Sequence, residues 1–239
     1  MSTQFRYYAK ELLTIALPII LGNLGFILIG AGDVLIAGRH STDTLAAISI
    51  ATAITNCIQT FGIGLISSVS PLLSNFRGEK KSAKKYFYPT IRFAMFLAVI
   101  VMFAVLAFIP VIDYLKFDPK LVPMIKQYMF VTAFATFGAY LHAALKEFLQ
   151  AFEVVMFPNL VTAIAVFLNI AVNVLLVFGW GIIPSLGALG LAVASFIVRY
   201  FMGFALLIYC FRMMNFNDYK DFEYYKNLIK IGIPISCAI

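Results

Sequence analysis

Asp33 is the one charged residue between Leu12 and Gly38, set in Gly30-Ala-Gly-Asp-Val-Leu-Ile-Ala-Gly38. A carboxylate in so apolar a stretch must pair with a cation or a donor, or take up a proton, because an isolated charge in a low-dielectric medium is expensive. That requirement is the chemistry of a coupling-ion site, which a small cation fills and leaves; the alternative is an acid near the outer interface, six residues before Arg39, that faces water. Thr162, Asn169 and Asn173, spaced seven and four apart, fall within about 40° of one another on a helical wheel. Two amides on one face can offer carbonyl oxygens to Na⁺ or hydrogen bonds to the Asp33 carboxylate. They serve equally well as interhelical glue. Ser195 and Arg199 share a face with Ala188 and Ala192. Ser195 is a further oxygen ligand in this reading, although a serine in a helix also bonds its own backbone, and Arg199 is expected to snorkel toward the cytoplasmic face.

Two more polar stripes, Thr52, Thr55, Asn56 and Gln59, then Thr132, Thr136 and Tyr140, either pack helices together or supply a candidate substrate cavity, for which Asn56, Gln59, Thr136 and Tyr140 are chosen. Pro18 lies where it removes a helical hydrogen bond and offers either a hinge or a kink of the kind membrane helices tolerate. His40 and His142 are single and read as structural. Cys57, Cys210 and Cys237 stand far apart with no CxxC spacing, so they are expected to be small core residues. No metal beyond a possible Na⁺ at Asp33 and no cofactor is implied. With no His/Asp/Glu cluster and no Ser/Lys pair at helical spacing, no enzyme activity is expected.

The elements that must carry these residues follow from the composition. Of 239 residues 62% are hydrophobic and 12% charged, and the mean hydropathy is +0.95, far outside soluble usage. A chain in lipid spans as helices or as a closed barrel. Thr44 to Phe76 runs 33 residues without Lys, Arg, Asp or Glu, unlike the alternating strands of a barrel. Six spans are predicted, at about 12–37, 45–73, 90–112, 123–146, 155–178 and 188–211. Thirteen Lys and Arg fall on the side of the N-terminus and four opposite. That bias predicts a multi-pass protein of the inner membrane with a cytoplasmic N-terminus. The net charge of +7 is scattered over helix ends and forms no basic patch, so nucleic acid is excluded as a partner.

Tyr224-Tyr-Lys-Asn-Leu-Ile-Lys-Ile-Gly-Ile-Pro-Ile235 matches Tyr8-Ala-Lys-Glu-Leu-Leu-Thr-Ile-Ala-Leu-Pro-Ile19 at Tyr, Lys, Leu, Ile, Pro and Ile. A seventh helix therefore begins as the first one does. Six intervening spans place both copies in the same direction, as in lobes related by an axis along the membrane normal. The predicted organisation is a six-helix lobe at 1–211, an inter-lobe cytoplasmic linker at 212–225 and the start of a second lobe at 226–239.

Taken in order, Ala16-Leu-Pro-Ile-Ile-Leu-Gly-Asn-Leu, Gly32-Asp-Val-Leu-Ile-Ala-Gly-Arg, Leu45-Ala-Ala-Ile-Ser, Pro71-Leu-Leu-Ser-Asn-Phe-Arg-Gly and Gly187-Ala-Leu-Gly-Leu-Ala-Val-Ala-Ser resemble the multidrug and toxic compound extrusion (MATE) family. The resemblance implies a twelve-helix antiporter of two six-helix lobes that exports cationic or amphipathic compounds in exchange for Na⁺ or H⁺. This chain would be the N-lobe, its partners being membrane lipid, a small-molecule substrate and the C-terminal lobe. Asp33 matches the acid such proteins use for ion coupling, and Asn169, Asn173 and Ser195 match polar residues around it. Some prokaryotic members carry Asp where Asn173 stands. A related lipid-linked oligosaccharide flippase, which would use more cavity Arg and Lys, and a membrane scaffold are the competing readings.

Overall fold

The computed structural model describes residues 3–80, 82–181, 184–213 and 221–238. Regular structure among them is helical throughout: α1 (Thr3–His40), α2 (Thr42–Ile66), α3 (Val69–Gly78), α4 (Phe87–Phe108), α5 (Leu121–Ala151), α6 (Met156–Phe178), α7 (Ala188–Met213) and α8 (Phe222–Ala238). Six stretches of the described residues are long and apolar enough to cross a membrane, from Ala16–His40 to Ala188–Arg212, which bears out the predicted all-α, six-span bundle.

Local chemistry sets the corners. Ser41 alone separates α1 from α2, its hydroxyl accepting a 3.0 Å hydrogen bond from the Thr44 amide, as an N-cap residue does. At the far end of α2 the hydroxyls of Ser67 and Ser68 turn back onto the carbonyls of Ile63 and Leu65. The helix restarts as α3, so the second span continues past residue 73 to Gly78. Pro110 falls in a 3₁₀ turn, Ile109–Tyr114, that extends α4.

The fourth span also outruns its predicted end at 146. Helix α5 continues to Ala151, and Glu153 then adopts a left-handed φ of 63° to reverse the chain. Arg77 secures that corner from α3, donating to the Ala151 carbonyl and pairing with Glu153 at 3.2 Å. The expected loop from Lys146 onward is instead helical as far as Ala151, with Lys146 only 8% exposed, because the apolar face of α5 carries on through Phe148 and Leu149.

Helix α5 is the axis of the bundle and packs most extensively on α7, then on α4 and α2. The α5–α7 contact depends on Gly138, where a Cβ would come within 2.8 Å of the Arg199 carbonyl carbon. Small residues at such crossings let two backbones approach, the main source of helix attraction in lipid. Helix α1 packs chiefly on α6, leaving Leu17, Ile20, Leu21, Leu24, Ile27 and Leu28 exposed. Helix α8 lies on α2 and is anchored by Tyr224, whose hydroxyl meets Thr90 Oγ1 at 2.7 Å while its ring stacks on Tyr86 at 4.5 Å. Pro234 sits inside α8 as Pro18 sits inside α1. The N-terminal side chains of the repeat and residues 214–220 of the expected linker lie outside the described residues. Of the cysteines, Cys210 is buried as expected. Cys57 and Cys237 are instead exposed, because the helix faces that carry them are turned away from the bundle core.

Candidate cation site and cavity

Asn23, Phe26, Gly30 and Asp33 recur at three- and four-residue spacing and so form one face of α1. That face looks into a cavity of about 850 Å³, shared with α2, α5, α6 and α7. Its volume lies within the range of small-molecule sites. From Tyr128 to Lys146, both in its wall, α5 advances about 27 Å, so the cavity is a long cleft along the bundle.

Asp33 is half-buried at one end, where two helices supply its partners. Asn173 Nδ2, on α6, donates to Asp33 Oδ1 at 2.6 Å and to Asn169 Oδ1 at 3.0 Å. Ser195 Oγ, on α7, donates to Asp33 Oδ2 at 3.4 Å. Both amides are fully buried, and two of their atoms, Asn173 Oδ1 and Asn169 Nδ2, have no hydrogen-bond partner. An unpaired carbonyl oxygen buried beside a carboxylate is costly unless something fills it. A hard monovalent cation, which takes oxygen ligands, meets that need. The donors present, two carboxylate oxygens, amide oxygens and a hydroxyl, fit such an ion by their chemistry.

Close approach of α1 and α6 brings this group together. At Gly25 a Cβ would lie 2.9 Å from Thr162 Cγ2, and at Gly22 it would collide with the Asn159 amide. Thr162 itself bonds back to the Pro158 carbonyl and is a packing residue here, while Asn169 and Asn173, further along the same stripe, reach the acid.

The other expected residues divide. Asn56 and Gln59 line the cavity. Thr136 and Tyr140 do not: they lie behind Gln59, Thr136 Oγ1 accepting from Gln59 Nε2 at 3.0 Å and Tyr140 donating to the Gln59 carbonyl at 2.8 Å. Thr136 orients the Gln59 side-chain amide and Tyr140 ties down the Gln59 backbone, and neither touches the cleft, since both sit on the side of α5 that faces α2. Arg199 does not snorkel outward. It turns into the cavity, its Nη1 donating to Gln59 Oε1 at 3.4 Å, because α2 supplies an acceptor closer than any interface. Pro18 lies within an unbroken α1.

A second polar group, which the spacing of residues in sequence did not suggest, occupies the other end of the cleft and is made of Asn23, His142, Lys146 and Glu147. Lys146 Nζ donates to Asn23 Oδ1 at 3.1 Å and lies 5.1 Å from the centre of the Phe26 ring. His142, read as a lone structural histidine, lines the cleft and is 2% exposed. Glu147 on α5 is thus a second acid within the spans, beside Asp33 on α1. A signal was present, since Ala139, His142, Ala143 and Lys146 share one face of an α-helix, but a span ending at 146 leaves Lys146 at the membrane edge and Glu147 beyond it.

Six apolar helices, five of them lining a polar cleft with an acid and two amides at one end, define a multi-pass membrane protein. Residues 18–175 match the MatE family model, and the chain belongs to that family. It is 26% identical over 247 residues to the multidrug resistance protein NorM of Photobacterium profundum, covering 98% of this chain and 54% of that protein. To the probable multidrug resistance protein NorM of Mannheimia succiniciproducens it is 28% identical over 251 residues, covering 99% and 53%. The chain thus spans about half the length of these relatives. The same fold occurs in the crystal structure of the eukaryotic MATE transporter AtDTX14, with a TM-score of 0.84 at 18% identity over 97% of this chain and 53% of that one. A multidrug resistance MATE family transporter in an outward-facing conformation gives 0.81 at 16% identity, over 96% and 52%.

Proposed function

We propose that this chain forms the N-terminal lobe of a two-lobe secondary antiporter of the cell membrane. The whole would export cationic or amphipathic small molecules in exchange for Na⁺ or H⁺. One observation carries the reading: Asp33, held by Asn173 and Ser195, opens into the same cleft that is wide enough for cargo. Membership of the MatE family and likeness to proteins named for multidrug resistance support it.

The mechanism follows from charge. An empty site leaves an anionic carboxylate facing the cleft, a partner for a cationic cargo. A coupling cation at Asp33, taking up the unpaired Asn173 carbonyl, neutralises that attraction and draws α1 to α6 and α7. Cation and cargo then favour different arrangements of the lobe, and each promotes the other's release. Pro18, which lacks a backbone donor in α1, is the hinge through which that helix would respond.

The test is direct. Thermal unfolding of the purified chain in lipid nanodiscs should shift upward with added NaCl relative to choline chloride, since a ligand that binds only the folded state stabilises it by RT ln(1 + [L]/Kd). Asp33→Asn should abolish the shift. In a two-lobe transporter carrying this lobe the same substitution should abolish drug export with the protein still folded. A scaffold would show no cation dependence at all, and drug resistance retained by the Asp33→Asn variant would refute the role of the acid. The flippase reading gains one basic residue, Lys146, but Asp33 and Glu147 stand in the same cleft and leave it without the positive excess a pyrophosphate-linked sugar requires.

A further inference from the structure

We propose that Asn23, Phe26, His142 and Lys146 form a carboxylate-binding subsite for aromatic acids, separate from the cation site. It rests on the reading that the cleft admits cargo, and it does not require Asp33 to bind an ion.

Lys146 carries the inference. It is 8% exposed and lines the cleft, and its hydrogen bond is to a neutral partner, Asn23 Oδ1. An ammonium has three donors, so two remain for the cleft. The ion pairs among the described residues, Arg77 with Glu153 and Lys126 with Asp113, do not include it. A buried ammonium with one neutral acceptor is poorly compensated, and a carboxylate entering the cleft supplies what is missing. His142, one turn earlier on the same face of α5, is also buried and its Nε2 has no partner. It gives a second polar contact for the same anion.

The aromatic body is indicated by Phe26. Its ring lies beneath Lys146 and 5.5 Å from the His142 ring, tilted by 58°, so a flat group that brings its carboxylate to Lys146 meets two ring surfaces. Offset and tilted ring pairs at such spacings are favourable.

Two other charges bear on this end of the cleft. Glu147 is in the same wall and acts on Lys146 through space without reaching ion-pair distance. It opposes an incoming anion and so makes the subsite selective for ligands whose carboxylate reaches Lys146 itself. Arg199, the other cation of the cleft, is engaged by Gln59 and acts on Asp33. Asn23 and Asp33, ten residues apart on α1, are separated by about 15 Å along the helix. The two ends therefore have distinct charge pairs and can be occupied independently.

The experiment measures binding of 2-naphthoate and of the neutral 2-naphthylmethanol to the chain in phosphatidylcholine nanodiscs by equilibrium dialysis. Naphthoate should bind about tenfold more tightly than the alcohol, the scale of one hydrogen bond to a charged group. Lys146→Met should abolish the preference while leaving alcohol binding, Lys146→Arg should keep it, and Asp33→Asn should leave it intact. Glu147→Gln should tighten naphthoate a few-fold and leave the alcohol unchanged. Equal affinity of the two probes for the unaltered chain would overturn the proposal, as would a preference surviving Lys146→Met. If Lys146→Met does not fold, the Glu147→Gln arm decides, and an unchanged naphthoate affinity there sinks it. Displacement of naphthoate in phosphatidylglycerol nanodiscs would reassign the subsite to a lipid headgroup and equally reject it. Loss of the Na⁺ response with the naphthoate preference retained would reject the coupling role of Asp33 alone.

Discussion

Asn173 makes the shortest contact to Asp33 and leaves its own carbonyl unpaired, so its replacement is the sharpest test of what the group holds. Asn173→Asp puts a second carboxylate beside the first. Two acids that close disfavour joint ionisation, and a shared cation relieves that repulsion. The expected outcome is lower stability in choline chloride and a larger stabilisation by Na⁺ than the unaltered chain shows, read by thermal unfolding in nanodiscs. Gln59 is the second informative residue, because it joins α2 to Thr136 on α5 and to Arg199 on α7. Gln59→Leu leaves both partners without it, and stability should fall by about 1–3 kcal/mol, the cost of leaving a buried polar group unsatisfied. Denaturant unfolding of the two proteins side by side measures it.

Helices α1 and α6 must touch for the acid to meet its amides, and glycine makes the contact. Gly25→Leu places a side chain where Thr162 already stands. Overpacking of this kind costs about 1–3 kcal/mol. Because it spreads the helices, it should weaken Na⁺ stabilisation as well, although Gly25 touches no ligand. A loss of stability with the Na⁺ response unchanged would mean that the site forms without that close approach. Pro18→Ala supplies the donor that proline lacks, so it should hold or raise stability while slowing export by a two-lobe protein.

Seen whole, the bundle has one enclosed helix, α5, and one poorly covered helix, α1, whose leucines and isoleucines face outward. In the proposed arrangement lipid covers that face, with a second lobe completing the pathway. The topology has its own test: in a cysteine-free background, Lys84→Cys should react with an impermeant maleimide only from the cytoplasmic side and Lys116→Cys only from the other. The reverse pattern would contradict the orientation inferred from the placement of Lys and Arg.

Sequence alone determined that this is an α-helical membrane protein with six spans, because hydropathy and length are properties of each segment by itself. It also singled out Asp33, since a lone carboxylate in an apolar run is visible without knowing its neighbours, and the seven-and-four spacing of Thr162, Asn169 and Asn173 put the amides on one face. Which groups meet was decided by tertiary structure. Thr136 and Tyr140 turned toward Gln59 and away from the cleft, Arg199 turned inward, and Lys146 entered the bundle, because each follows the nearest partner on another helix. The rotation of one helix against its neighbours is set by small residues such as Gly25 and Gly138, whose importance lies in the atoms of the helix opposite them. No reading of a single segment contains that information.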